Sequence, residues 1–128
     1  MIKWKIKIFL PLSGKDIFDE WIVSQSPEAE ERIRGMIRLL SVSPIEMWSR
    51  PFFAHMHGHR HICEIIVKYN KKQYRPLGCF GPVPQTYTIL VGATKKVNTW
   101  TPHDALKTAE KRRQLVFNDR RYLGDYKP

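Results

Sequence analysis

The chain has 128 residues, 42% hydrophobic and 27% charged, enough for one domain with its own core and far from the composition of a disordered segment. Its 22 Lys and Arg against 12 Asp and Glu leave a net charge of +10, a field that favours RNA, DNA, an anionic membrane surface or an acidic protein partner. No apolar run approaches the ~20 residues of a membrane span, and residues 2–8 alternate with Lys where a secretory leader needs continuous apolar sequence, so the expectation is a soluble, cytoplasmic protein without a membrane partner.

Ile2, Trp4, Ile6 and Ile8 alternate with Lys3, Lys5 and Lys7, the period of a half-buried strand. Pro11 ends it. Ser13, three residues before Asp16, is the N-cap candidate for a short helix with the apolar stripe Ile17, Phe18, Trp21 and Ile22. Ser26-Pro27 starts a second helix. Proline fits its first position, Glu28, Glu30 and Glu31 suit the positive end of its dipole, and Ile33, Met36, Ile37 and Leu40 recur at helical spacing. Ser43-Pro44 closes it, making a helix hairpin. Residues 44–61 lack periodicity and are read as a loop.

Three β-rich runs follow at 62–69, 73–80 and 86–94. Asn70-Lys71 and Gly81-Pro82 separate them at hairpin distance, so they are expected to be antiparallel neighbours. Cys63 and Cys79 fall inside these runs and are read as buried thiols without chemistry. Thr101-Pro102-His103-Asp104 is read as a third helix start, with Thr101 as N-cap, ahead of an apolar side of Ala105, Ala109 and Val116 flanked by Leu106 and Leu115. Residues 118–128 have little to bury. The expected fold is α+β, in a single domain over 1–128: a small, mostly antiparallel sheet with an N-terminal strand, a two-helix hairpin, a three-stranded meander and a C-terminal helix.

Several basic runs point to a shared polyanion surface: Lys68, Lys71 and Lys72 on the first hairpin, Lys95 and Lys96 at the end of the last run, and Arg112 and Arg113 on the last helix. In the tail, Arg120 and Arg121 stand beside Tyr122 and Tyr126, which could stack on bases. A turn centred on Asn70-Lys71 pairs Tyr74 with Val67 and Ile66 with Arg75, placing Glu64, Ile66, Lys68 and Arg75 on one face. Glu64 and Arg75 then become diagonal neighbours, either an ion pair of the fold or part of a site. His55, His57, His59 and His61, spaced by two, would share one side of an extended segment as metal ligands do. Gly58 invites a bend, however, and no metal or other cofactor is assigned.

Taken in order, Ile62-Cys63-Glu64-Ile65, Lys71-Lys72-Gln73-Tyr74-Arg75-Pro76-Leu77, Leu90-Val91-Gly92-Ala93-Thr94-Lys95-Lys96 and Thr101-Pro102, leading to Ala109 and Arg112-Arg113, resemble the phage-derived, HigB-like branch of the RelE superfamily. In that branch a YELR-type strand, a K-x-YR hairpin, a strand ending in KK and a TP helix start occur in this sequence. The likeness covers residues 62–113; residues 1–50 agree only in having a helix hairpin. It implies a RelE-like fold and a toxin of a toxin-antitoxin system that cuts mRNA in the ribosomal decoding site, in contact with mRNA and ribosomal RNA. It also implies a cognate antitoxin, often one with a helix-turn-helix domain.

Cleavage of that kind uses the RNA 2′-OH as nucleophile and asks the protein for orientation, proton transfer and positive charge. The resemblance makes Arg75 the phosphate clamp, with Glu64 beside it, and His55 and His57 the proton-transfer candidates. One departure stands out: Ile66 occupies the place where the YELR strand carries Arg. A fold kept for binding RNA, ribosome or antitoxin without cleavage is the alternative that this residue favours.

Overall fold

The computed structural model describes residues 2–128. In chain order its elements are β1 (Lys5–Phe9), α1 (Ile17–Val23), α2 (Pro27–Ser41), β2 (Phe53–His55), β3 (Cys63–Ile65), β4 (Val67–Tyr69), β5 (Lys72–Tyr74), β6 (Leu77–Phe80), β7 (Thr86–Val91), β8 (Thr94–Lys96), β9 (Thr99–Thr101), α3 (Ala105–Asn118) and β10 (Leu123–Asp125). Short 3-10 turns lie at Ile45–Met47 and Arg120–Tyr122.

β1 buries Ile6 and Ile8, as its alternation requires, and pairs in parallel with β7. α2 begins as expected, with the Ser26 hydroxyl accepting from Ala29 N at 3.2 Å and Pro27 in the first turn. The cap of α1 is Asp16, not Ser13: its carboxylate accepts from Asp19 N at 2.9 Å. Gly14, at φ +81°, turns the chain between the two, which leaves Ser13 in the preceding turn. Phe18 and Ile22 of α1 and Ile33, Ile37 and Leu40 of α2 pack with Ile6, Ile8, Ile65 and Ile89 on one face of the sheet. Ala105, Ala109 and Val116 of α3 cover the other face with Phe9, Ile62, Leu77 and Leu90.

The expected meander is present, but it divides between two sheets. A six-stranded sheet runs β10-β1-β7-β6-β3-β2 and a four-stranded sheet β4-β5-β8-β9. The first two long runs therefore bend near their middle and the third near its end, between β7 and β8. Ile66 N donates to Phe52 O at 2.8 Å, the rung that follows Phe53↔Ile65 in the β2–β3 register, and in the second run Pro76 has no N–H to donate. At Gly92 a Cβ would run into the Trp21 indole, so glycine lets α1 approach the third run where it bends. The succession of strand, helix hairpin, antiparallel meander and helix is a small RelE-like α+β arrangement, built on two sheets where one was expected.

Three further expectations are corrected. Residues 44–61 are not all loop: Phe53 is fully buried and β2 pairs with β3, an edge strand too short to show a period of two. The last helix starts at Ala105; Thr101 ends β9 and Pro102 O accepts from Ala105 N, because Thr101 is held in the β8–β9 hairpin. The tail is not idle. It adds β10 to the edge of β1, where Lys7 meets Asp125, and it seats Tyr122 against Phe9 with the rings stacked at 5.8 Å. No described helix is long and apolar enough to cross a membrane.

Candidate functional site

The bend between the sheets gathers Glu64, Lys68, Arg75 and Lys95 from among the polar residues that the sequence singled out. Asn70 and Lys71 both adopt positive φ (53° and 67°), as a two-residue hairpin of the primed type requires, and set the register Val67↔Tyr74, Lys68↔Gln73 and Tyr69↔Lys72. β8 then places Lys95 opposite Gln73, and β9 places Trp100 opposite Lys95. Cross-strand partners share a face, so Lys68, Gln73, Lys95 and Trp100 form one row across all four strands. The Lys95 ammonium lies 5.1 Å from the centre of the Trp100 ring.

Behind this row is the ion pair that the register foretold. Arg75 Nη1 donates to Glu64 Oε1 at 2.5 Å and Nη2 donates to Gln73 Oε1. Glu64 is 3% and Arg75 7% exposed, so the guanidinium is held inside the protein and reaches the surface through Gln73. Ile66 is buried as well.

Alternation splits the other lysines. Lys72 and Lys96 fall on the opposite face from Lys68 and Lys95, with Tyr69, which lies under Arg32 of α2 at 4.8 Å. Lys71 sits in the turn. Several further candidates serve the fold. Arg112 donates to Leu90 O at 2.9 Å and lies over the Phe9 ring, and its burial lowers its pKa. Arg120 donates to Val116 O and Phe117 O, both at 2.7 Å, closing the end of α3. Arg121 pairs with Asp119, and Tyr126 packs on Phe18 at 6.2 Å.

The histidines do not line one side of a strand. Gly58, at φ +81°, turns the segment; His55 ends β2, His57 is exposed in the turn, and His59 reaches Glu110 of α3 at 3.2 Å. No three His, Cys, Asp or Glu side chains gather as a metal site among the described residues. His55 sits opposite Cys63 and therefore on the other face of the sheet from Glu64, so the structure does not unite the two catalytic candidates on one face. Instead His55 and His61 line a crevice of about 130 Å³ with Arg60, Cys63, Phe80 and Arg113. Gln73, Trp100 and Arg60 were missed as site residues, and His61 entered only with the histidine run as a possible metal ligand. Thr99-Trp100-Thr101 carried a period of two that could have revealed the ninth strand, whereas the crevice has no signature in spacing.

The family model described as phage derived protein Gp49-like (DUF891) matches residues 20–114. No curated protein and no solved structure matches the chain. The matched span takes in the second half of α1, all of α2, the whole meander and most of α3, including every residue of the polar row and of the crevice, and the chain belongs to this phage-derived Gp49-like family.

Proposed function

We propose that the chain is the toxin of a toxin-antitoxin module, a RelE/HigB-type endoribonuclease that cuts mRNA on the ribosome. The observation that carries the reading is the row Lys68, Gln73, Lys95 and Trp100, backed by the buried Arg75–Glu64 pair, on a chain of net charge +10. Two ammonium groups and an indole on one strand face suit the phosphates and unstacked bases of single-stranded RNA.

In the proposed step the ribose 2′-oxygen attacks the adjacent phosphorus as the P–O5′ bond breaks. The products are a 2′,3′-cyclic phosphate and a 5′-hydroxyl, with the 2′-OH proton passing to a water molecule and a proton given to the leaving oxygen. Lys68 and Lys95 offset the charge of the phosphorane, and either ammonium can protonate the leaving oxygen. Arg75 acts as a positioning residue that fixes Gln73. His55, on the other face of the sheet from Glu64, and His57, in the turn after β2, are not brought to this row, so the proposed step does not use them. The positive charge also suits an acidic antitoxin, for which a helix-turn-helix protein remains the expectation; a prophage-type setting accords with the family's description, and action on ribosomes would place the protein in the cytoplasm.

One observation favours a second reading, a fold that binds RNA, ribosome or antitoxin without cutting: buried, apolar Ile66 stands where the resembling toxins carry Arg. Inducible expression of the wild type and of a Lys68→Ala/Lys95→Ala variant in a bacterial host, with growth followed and mRNA 5′ ends mapped, separates the two. Growth arrest with new in-frame cuts, absent in the variant, is the expected result. Normal growth with folded protein and uncut mRNA would overturn the endonuclease reading in favour of the binder.

A further inference from the structure

We infer that the crevice at the other end of the meander is a second anion site, which takes a phosphate group of single-stranded RNA. Its lining is His55, Arg60, His61, Cys63, Phe80 and Arg113: two imidazoles, two guanidiniums, a thiol and a phenyl ring, with no carboxylate. Glu110, the nearby acid of α3, is engaged by His59 at 3.2 Å. No ion pair therefore neutralises Arg60 or Arg113 among the described residues.

Two details say that the donors want an acceptor. The Arg113 guanidinium is held over the Phe117 ring at 4.3 Å, and its Nε–H is buried with no acceptor in the protein, a state that ordinarily calls for a partner. His55 Nδ1 lies 3.4 Å from Cys63 Sγ. Burial pushes the Cys63 thiol up to about 12, so near neutral pH it keeps its proton. Where the thiol donates to Nδ1, the ring proton sits on Nε2, as a donor. Phosphate oxygens accept from several such donors at once, and guanidinium forks match their geometry. At about 130 Å³ the crevice suits one phosphate group rather than a peptide segment. Its RNA source rests on the proposed function; the anion site itself does not.

The test follows the imidazole resonances of His55 and His61 by NMR during titration with inorganic phosphate and, separately, with a uridine hexamer. Wild type, Arg60→Ala and Lys95→Ala are compared; Arg60 is exposed, so its variant should keep the fold. Both probes should move both rings, the hexamer at lower concentration. Arg60→Ala should weaken each by about tenfold, the loss of one charge-assisted contact. Lys95→Ala should leave the response to inorganic phosphate intact. Rings unmoved by either probe, or moved equally in Arg60→Ala, would overturn the site. Rings that answer to inorganic phosphate and ignore the hexamer would overturn RNA as its source. Uncut mRNA in the expression assay, with rings still moved by RNA, would sink the endonuclease reading alone.

Discussion

Replacing Arg75 by Met tests whether the Arg75–Glu64 pair belongs to the fold or stands free as a phosphate clamp. Both side chains are almost fully buried, at 7% and 3% exposure, and the guanidinium serves Glu64 and Gln73 together. Removing one member of a buried pair leaves an uncompensated charge and costs about 3–5 kcal/mol. For a chain of this size, at about 4 °C per kcal/mol, Tm should fall by about 12–20 °C, a large part of the ~5–15 kcal/mol that holds such a domain together. Arg75→Lys keeps the charge but cannot serve both acceptors with a planar fork, so it should cost about 1.5–3 kcal/mol. The double variant Glu64→Leu/Arg75→Met should regain most of the loss, because it buries no lone charge. Thermal and urea unfolding of the four proteins measures all of this. A fall of under about 4 °C in Arg75→Met, with Glu64 intact, would refute the reasoning and return Arg75 to the surface as a direct phosphate ligand.

Burial pushes Cys63 and Cys79 up to about 12, from an ordinary value of 9.0. Below 9 both states keep the thiol protons. As pH rises from 9 towards 12 only the unfolded chain releases them, so this contribution to folding stability is lost over that window. Urea midpoints at pH 8, 9 and 10 should decline beyond 9 less steeply in Cys63→Ala than in the wild type, and a parallel decline would argue against a buried thiol. Ending the chain at Asp119 removes β10, its pairing with β1, the Tyr122 stack on Phe9 and the Tyr126 contact with Phe18. Two part-buried aromatic side chains and an edge strand are together worth about 3 kcal/mol or more, so Tm should drop by about 12 °C; an unchanged Tm would mean that the tail is not docked in solution.

Local patterns determined much of this protein. The alternation of Ile6 and Ile8 with lysines, the Ser26-Pro27 start, the Ile33-Ile37-Leu40 stripe and the Asn70-Lys71 turn each rest on one period or one backbone preference, and each holds in the structure. The turn register was enough to bring Glu64 next to Arg75. Tertiary structure decided what no local rule contains. The bend at Gly92 arises because Trp21, distant in the chain, needs the room of a glycine, and it joins the break at Pro76, where an N–H is missing. Those bends split one expected sheet into two and separate the lysine row from the histidine crevice. Burial of Arg75 and Arg112, and the gathering of Arg60, His61 and Arg113, likewise depend on where α3 and the 56–61 turn come to rest. A count of charges reads the same whether a guanidinium faces water or a carboxylate, and only the packed chain distinguishes the two.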